Sequence, residues 1–385
     1  MRVTSNAPRS QLASDDIKRL LDAAAARGVE AVSFTGGEPL LFVDELLSYI
    51  TYAQQAGIRY IRTGTNGYMF RNSDKPGFAK RVHRLAETLA QTTLYTFWIS
   101  IDSAVPAVHE QMRGLPGVVA GIEQALPIFH SYGIYPAVNL GVNRNVNGEA
   151  SAQQECRNPQ QFYQTYREAF RTYYQFAYDL GFTMVNACYP MSIDEEELGS
   201  LNAVYTATSP DHIVRFTAQE RALVFKALLD TIPEYRARLR IFTPQSSLYA
   251  LFRQYTGSET FAFPCRGGID FFFVDSADGQ TYPCGYRGGE SLGHFWEEGF
   301  QPLDPTAPCR ACDWECFRDP SELLGPAMFA LSRPAEVLRK FKHDKIYAQM
   351  WLDDVRYYQA CHYFNGRHAP DYTRLARWAR QGAAG

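Results

Sequence analysis

Five cysteines crowd one stretch of this chain. Cys265 and Cys284 are followed by Cys309, Cys312 and Cys316, while Cys156, Cys188 and Cys361 stand apart. Eight cysteines are too few for a disulfide scaffold, so the cluster points to metal. Two metals suit such thiols. A cysteine pair around a turn together with a CxxC pair can build a tetrahedral all-thiolate zinc site. Soft thiolates equally suit iron–sulfur clusters. Four ligands complete either centre, so one of the five thiols is surplus, and spacing does not say which. Cys361 reads as a helix cysteine, and Cys156 and Cys188 as small buried hydrophobes.

A second group lies near the start. Gly36-Gly37-Glu38-Pro39 closes an apolar segment, Ala31–Thr35. Two glycines let backbone approach a ligand closely. A glutamate there can accept hydrogen bonds from a cationic amine, and Pro39 stiffens the exit. The plain alternative is a tight turn between a strand and a helix.

The elements that must position these groups alternate regularly. Residues 14–27 read as a helix, with Ile17, Leu20, Leu21 and Ala24 at three- and four-residue spacing, Ser14 as the cap and Gly28 as the stop. Further helices are expected at 43–56, 78–91, 117–131, 160–180 and 217–232. Strands are expected at 31–35, 60–63, 96–101, 137–142 and 183–189. Residues 147–160 read as a loop. This alternation predicts βαβ units, a parallel sheet and an α/β partial barrel of the TIM type. In such a barrel the strand ends that carry Gly36-Gly37 form the catalytic face. Phe162, Tyr166, Phe170, Tyr173 and Phe176 on the long helix read as core. From 262 to 320 the chain turns Gly-, Pro- and Cys-rich, with a hairpin around Asp278-Gly279. A helical tail is expected over roughly 334–380.

The motifs as a set resemble the radical S-adenosylmethionine (SAM) superfamily. GGEP at residues 36–39 matches the segment that holds the cofactor's methionyl amine. Asn66 within Thr65-Asn66-Gly67 matches the turn after the next strand. Ser100 and Asp102 match a strand end that faces the ribose, and Asn143 and Arg144 fall where the following strand contacts the cofactor. The pattern Cys265-x13-Gly279-x4-Cys284 resembles the opening of SPASM and twitch modules, which carry auxiliary clusters. With that context iron–sulfur displaces zinc as the expected metal, and Cys265, Cys284, Cys309, Cys312 and Cys316 are the candidates for one auxiliary [4Fe–4S] cluster. The resemblance implies an oxidoreductase or maturase that takes a peptide or small-molecule substrate. It also implies a reductant such as flavodoxin or ferredoxin. No catalytic acid or base can be named.

The family's CxxxCxxC triad holds the radical-generating cluster, and no cysteine precedes Cys156 here. The barrel's first strand is missing too. Residues Val3–Arg9 resemble the stretch that follows the triad. The expectation is a start placed inside the loop after that strand, so radical chemistry depends on cysteines upstream. The competing reading is a catalytically inactive SAM- or partner-binding protein with a structural four-cysteine site.

Charge and composition bound these readings. The 38 basic and 41 acidic residues give a net charge of −3. That leaves no global basic field, so neither nucleic acid nor an anionic membrane is an expected partner. An apolar fraction of 46% can bury a sizeable core. No apolar run is long enough to span a bilayer, and residues 1–10 lack a signal-peptide core, so a cytoplasmic protein is expected. Asp194–Glu197 reads as solvated surface, as do Arg333, Arg339, Lys340 and Lys342. The expected domains are a partial barrel at 1–215, a helical connector at 216–261, a cysteine module at 262–320 and a helical tail at 321–385.

Overall fold

The computed structural model describes residues 11–152, 156–191, 212–258, 263–306, 309 and 312–379. Val3–Arg9 and the acidic run Asp194–Glu197 lie outside them.

The first half follows the predicted alternation: α1 (Ser14–Ala26), β1 (Ala31–Phe34), α2 (Val43–Gln55), β2 (Tyr60–Thr65), α3 (Phe78–Ala90), β3 (Leu94–Ser100), α4 (Pro106–Arg113), α5 (Val118–Ser131) and β4 (Ala137–Gly141). Then come α6 (Glu149–Ala152), α7 (Pro159–Asp179), β5 (Met184–Cys188), α8 (Ala218–Tyr235), β6 (Arg240–Ile241) and α9 (Gln245–Tyr255). Six strands pair in parallel in chain order, β1 to β6. This is the α/β sheet of a partial TIM-like barrel, and helical crossovers are what parallel neighbours require.

Several details differ from the sequence reading, and one is α6, which lies within the stretch 147–160 expected as a loop. Ser14 is the first helical residue of α1, and Ala13 at the cap makes no side-chain hydrogen bond. The stretch 216–261 supplies α8, α9 and a sixth strand. Arg240–Ile241 is only two residues long, too short to show a strand period.

The outer faces of the strands bury Ile61, Phe97, Ile99, Val138, Leu140, Val185 and Ala187 against the helices. The aromatic stripe of α7 is core as expected, and Tyr173 Oη donates to the Ile101 carbonyl at 2.7 Å. Gly121 on α5 allows close approach, because a Cβ there would lie 1.7 Å from the Phe70 carbonyl oxygen.

After the barrel come a hairpin, β7 (Phe273–Val274) and β8 (Thr281–Tyr282), and the helices α10 (Glu315–Ser332), α11 (Pro334–His343), α12 (Lys345–Ala360) and α13 (Tyr372–Leu375). Gly279 turns the hairpin at φ +76°, and a Cβ there would meet Trp296 at 2.6 Å. The helical region thus begins at Glu315, inside the expected cysteine module. The tail covers the N-terminal ends of the strands. Gly366 N donates to Tyr95 O at 2.8 Å, and Tyr135 N donates to Gly366 O at 2.7 Å. Lys340, expected in solvent, is buried with its ammonium 3.6 Å from the Phe263 ring centroid. The long aliphatic stem makes that burial tolerable, and the ring face offsets part of the lost hydration.

Candidate functional site

The C-terminal rim of the sheet carries the first group of candidates. Gly36 and Gly37 are exposed and adopt φ +97° and +49°. A Cβ on Gly37 would point into open space. Glu38 is buried at their side. Its Oε1 accepts from Thr65 Oγ1 at 2.7 Å and Leu40 N at 3.1 Å, and its Oε2 accepts from Asn66 N at 2.6 Å. The carboxylate therefore fastens the β1 loop to the β2 turn and keeps one lone pair free. Burial pushes its pKa up, and those three hydrogen bonds oppose the shift. Pro39 opens a short helical turn that Glu38 caps. Asn66 shapes the next turn, its Oδ1 accepting from Tyr68 N at 2.8 Å.

The structure commits the remaining rim candidates to internal contacts, with Ser100 the exception. Asp102 is buried, with Oδ2 2.6 Å from Arg113 Nε and Oδ1 accepting from Gly141 N at 3.2 Å. Burial opposes its ionisation, but the Arg113 charge wins and holds the carboxyl well below the usual range. Asn143 donates to Asp102 O at 2.8 Å and Gly141 O at 2.6 Å, and accepts from Asn145 N at 2.7 Å. Arg144 is buried, paired with Glu220 at 2.7 Å and stacked on Phe216 at 4.5 Å. These three residues hold the loops after β3 and β4 in place. Ser100 stays half-exposed on the inner face.

Deeper along the strands, the inner wall is polar. Trp98 lies over Gly64, where a Cβ would sit 1.9 Å from its Nε1. Arg62 stacks on the same ring at 5.5 Å. Asn139 and Asn186 are register partners on β4 and β5, with Asn186 Nδ2 donating to Asn139 Oδ1 at 2.9 Å. Cys188, read from sequence as a packing residue, faces the same space. Its sulfur lies 3.3 Å from Asn139 Oδ1 and 3.4 Å from Glu315 Oε2, the two acceptors open to its single proton. Glu315 enters from the first turn of α10 and also accepts from Asn186 Nδ2 at 3.2 Å and from the Cys316 thiol at 3.5 Å. Burial raises the Glu315 pKa, against the lowering effect of those donors and of the Arg62 charge. Sequence reasoning missed Arg62, Cys188 and Glu315. A charged residue amid a parallel strand, and Asn186 and Cys188 two apart on another, were the signals, since alternate residues share one face of a strand.

The five clustered cysteines divide. Cys265 N donates to Cys309 O at 3.0 Å, tying two segments of the module together. Cys284 and Cys312 pack near Tyr286 and Trp314 in one small core. Burial pushes Cys284 up to about 12, with the neighbouring Cys265 and Cys309 adding to the shift. Burial likewise raises Cys312, whose thiol neighbours are Cys284 and Cys265. Cys316 turns away from these four toward Cys188 and Glu315. Among the described residues no three Cys, His, Asp or Glu side chains converge tightly enough to hold a single metal ion.

Known proteins similar to the chain include two kinds of enzyme, AdoMet-dependent heme synthases and GTP 3',8-cyclases. Residues 5–147 match the radical SAM superfamily. An AdoMet-dependent heme synthase of Methanosarcina barkeri is 23% identical over 322 residues, 84% of this chain and 80% of the relative. A second such heme synthase, from Oleidesulfovibrio alaskensis, is 22% identical over 278 residues, 72% of this chain and 62% of its own length. A GTP 3',8-cyclase of Mannheimia succiniciproducens is 32% identical over 122 residues, 31% of this chain and 33% of the cyclase. Residues 5–147, less than half of the chain, carry that match to the radical SAM superfamily. No helix among the described residues is long and apolar enough to cross a membrane.

Proposed function

We propose that this chain is a radical SAM oxidoreductase or maturase that binds SAM at the C-terminal rim and carries an auxiliary [4Fe–4S] cluster. The observation that carries the reading is the open Gly36-Gly37 backbone, held at the rim by the bonds of Glu38 to Thr65 and Asn66. Exposed glycine backbone there can present polar atoms to a methionyl group without side-chain interference. Ser100 supplies a half-exposed hydroxyl on the inner face nearby.

The auxiliary cluster is assigned to Cys265, Cys284, Cys309 and Cys312. Their mutual proximity and largely apolar surroundings fit an all-thiolate donor set. A single zinc at ~2.3 Å from each sulfur needs thiolates in closer convergence than a four-iron cluster does. When bound, such a cluster supplies one-electron transfer. The four thiolates would hold it, Trp314 and Tyr286 would shield it from water, and the Arg221–Asp313 pair would fix its loop. The module and tail are proposed as units that follow the barrel.

The long alignment with the heme synthases favours a substrate of that enzyme class over the peptide implied by the cysteine module alone. The competing reading is a SAM-binding protein without radical chemistry. Equilibrium dialysis with labelled SAM tests the shared claim. Binding by the wild-type chain that weakens about tenfold in Gly36→Val supports the rim, and no saturable binding overturns it. Anaerobic reconstitution then separates the readings: 5′-deoxyadenosine appears only if the chain can generate the radical.

A further inference from the structure

The inner wall carries a guanidinium that the fold does not use. Arg62 is half-buried in the middle of β2, over the Trp98 ring. Among the described residues, no carboxylate pairs with it and no acceptor takes its hydrogen bonds. Four other enclosed arginines differ, and the fully buried Arg240 donates to Thr183 Oγ1 and Asn365 O. Arg113, Arg144, Arg221 and Arg236 each hold a carboxylate: Asp102, Glu220, Asp313 and Asp354. A partly desolvated charge without a partner is costly, so such a group marks a place where an anion can bind.

The nearby acid does not fill that place. Glu315 lies within reach of the Arg62 charge, yet its oxygens are turned to Asn186 and to the thiols of Cys188 and Cys316. Cys316 also feels the Arg62 charge. The Cys316 side chain is exposed. Arg62, Glu315 and Cys316 therefore lie near one another on the inner side of the sheet, and Cys316 is open to solvent.

We infer that Arg62 binds a carboxylate of the substrate on this inner face of the sheet, opposite Glu315, Cys188 and Cys316. The inference rests on the reading of the rim as the SAM site, because it places the substrate beneath the nucleotide. Arg62 precedes the rim residue Thr65 by three positions, about 10 Å along a strand. The guanidinium presents a planar fork suited to a carboxylate, and the Trp98 face keeps it flat.

Cys316 offers an internal reporter. Iodoacetate and iodoacetamide alkylate thiols by the same displacement, but only the first carries a carboxylate. Mass spectrometry gives the iodoacetate-to-iodoacetamide rate ratio at Cys316. We expect that ratio to fall about tenfold in Arg62→Met, the scale of local electrostatic enrichment, and to be largely kept in Arg62→Lys. Cys156 provides the reference ratio, which should be unchanged. Near-ultraviolet circular dichroism confirms that the variants fold alike. An equal ratio in wild type and Arg62→Met overturns the proposal, and so does a Cys316 inert to both reagents.

Saturating SAM distinguishes the source of the carboxylate. A ratio that survives SAM supports a substrate carboxylate. A ratio abolished by SAM assigns Arg62 to the nucleotide's own carboxylate and overturns the substrate claim. Failed SAM dialysis with the Arg62-dependent ratio intact removes the rim reading alone and leaves an anion site standing.

Discussion

Arg221 on α8 and Asp313, the residue after Cys312, form a buried ion pair with Nη1 2.6 Å from Oδ2. Tyr255 on α9 adds a hydrogen bond to the same oxygen at 3.0 Å. The cysteine module is thus bolted to the barrel by a charge pair with almost no water around it. Removing one partner leaves the other charge buried and uncompensated. Asp313→Ala should cost about 3–5 kcal/mol. Urea unfolding of wild type and variant checks this, and a loss under 1 kcal/mol would contradict the buried pair.

The division of the cysteines predicts unequal consequences for iron. Single Ala substitutions of Cys265, Cys284, Cys309 and Cys312 should each abolish or strongly reduce iron bound after anaerobic reconstitution. Cys316→Ala should keep it, because that thiol faces Glu315 rather than the other four. Iron and sulfide quantification with the visible absorption spectrum reads the result. Iron loss in Cys316→Ala equal to that in Cys312→Ala would move the ligand set.

Burial makes His109 a source of acid sensitivity. The ring is fully buried and accepts from Asp102 N at 3.1 Å through Nδ1, which requires the neutral form. Burial pushes its pKa down to about 4 from 6.5, against the raising effect of Asp102. Below 6.5 the unfolded chain takes up a proton that the folded chain refuses until about 4. Stability from this group is therefore complete above pH 6.5 and is lost as pH falls toward 4, by about 3 kcal/mol in all. His109→Gln can still accept from Asp102 N and lacks the titration. Denaturant unfolding from pH 7 to 4 should show wild type losing stability faster than the variant, and parallel curves would exclude a neutral buried ring.

The alternation of helix and strand was legible because most of the parallel strands are largely apolar runs bounded by glycine or polar residues. β6 was not, since two residues carry no period and its place is set by Tyr357, whose hydroxyl donates to Leu239 O and accepts from Ile241 N. The start of α10 was hidden by Pro320 and Pro326 and by the cysteine spacing that runs into its first turn. The GGEP rim could be read because its chemistry lies within four consecutive residues. Arg144 and Glu220 are 76 positions apart, and no local pattern announces a partner at that distance. The same limit hid the meeting of Cys188 with Glu315, which only the packing of α10 against the inner wall brings about.

Glu38 gives the sharpest single-atom prediction at the rim. Its Oε2 faces the Asn66 N–H at 2.6 Å, while its Oε1 receives Thr65 Oγ1 and Leu40 N. In Glu38→Gln one of these positions becomes an NH2 group. If it replaces Oε2, two donors meet at Asn66. If it replaces Oε1, Leu40 N loses its acceptor and Thr65 must turn its hydroxyl. Either choice leaves a buried donor unpaired, a cost of about 1–3 kcal/mol. The strain falls on the loop that carries Gly36 and Gly37, so SAM affinity should drop together with stability. Glu38→Gln should lower the unfolding free energy by that amount and weaken SAM in equilibrium dialysis about tenfold or more. Full stability with lost binding would instead make the free lone pair of Glu38 a direct ligand to the methionyl amine.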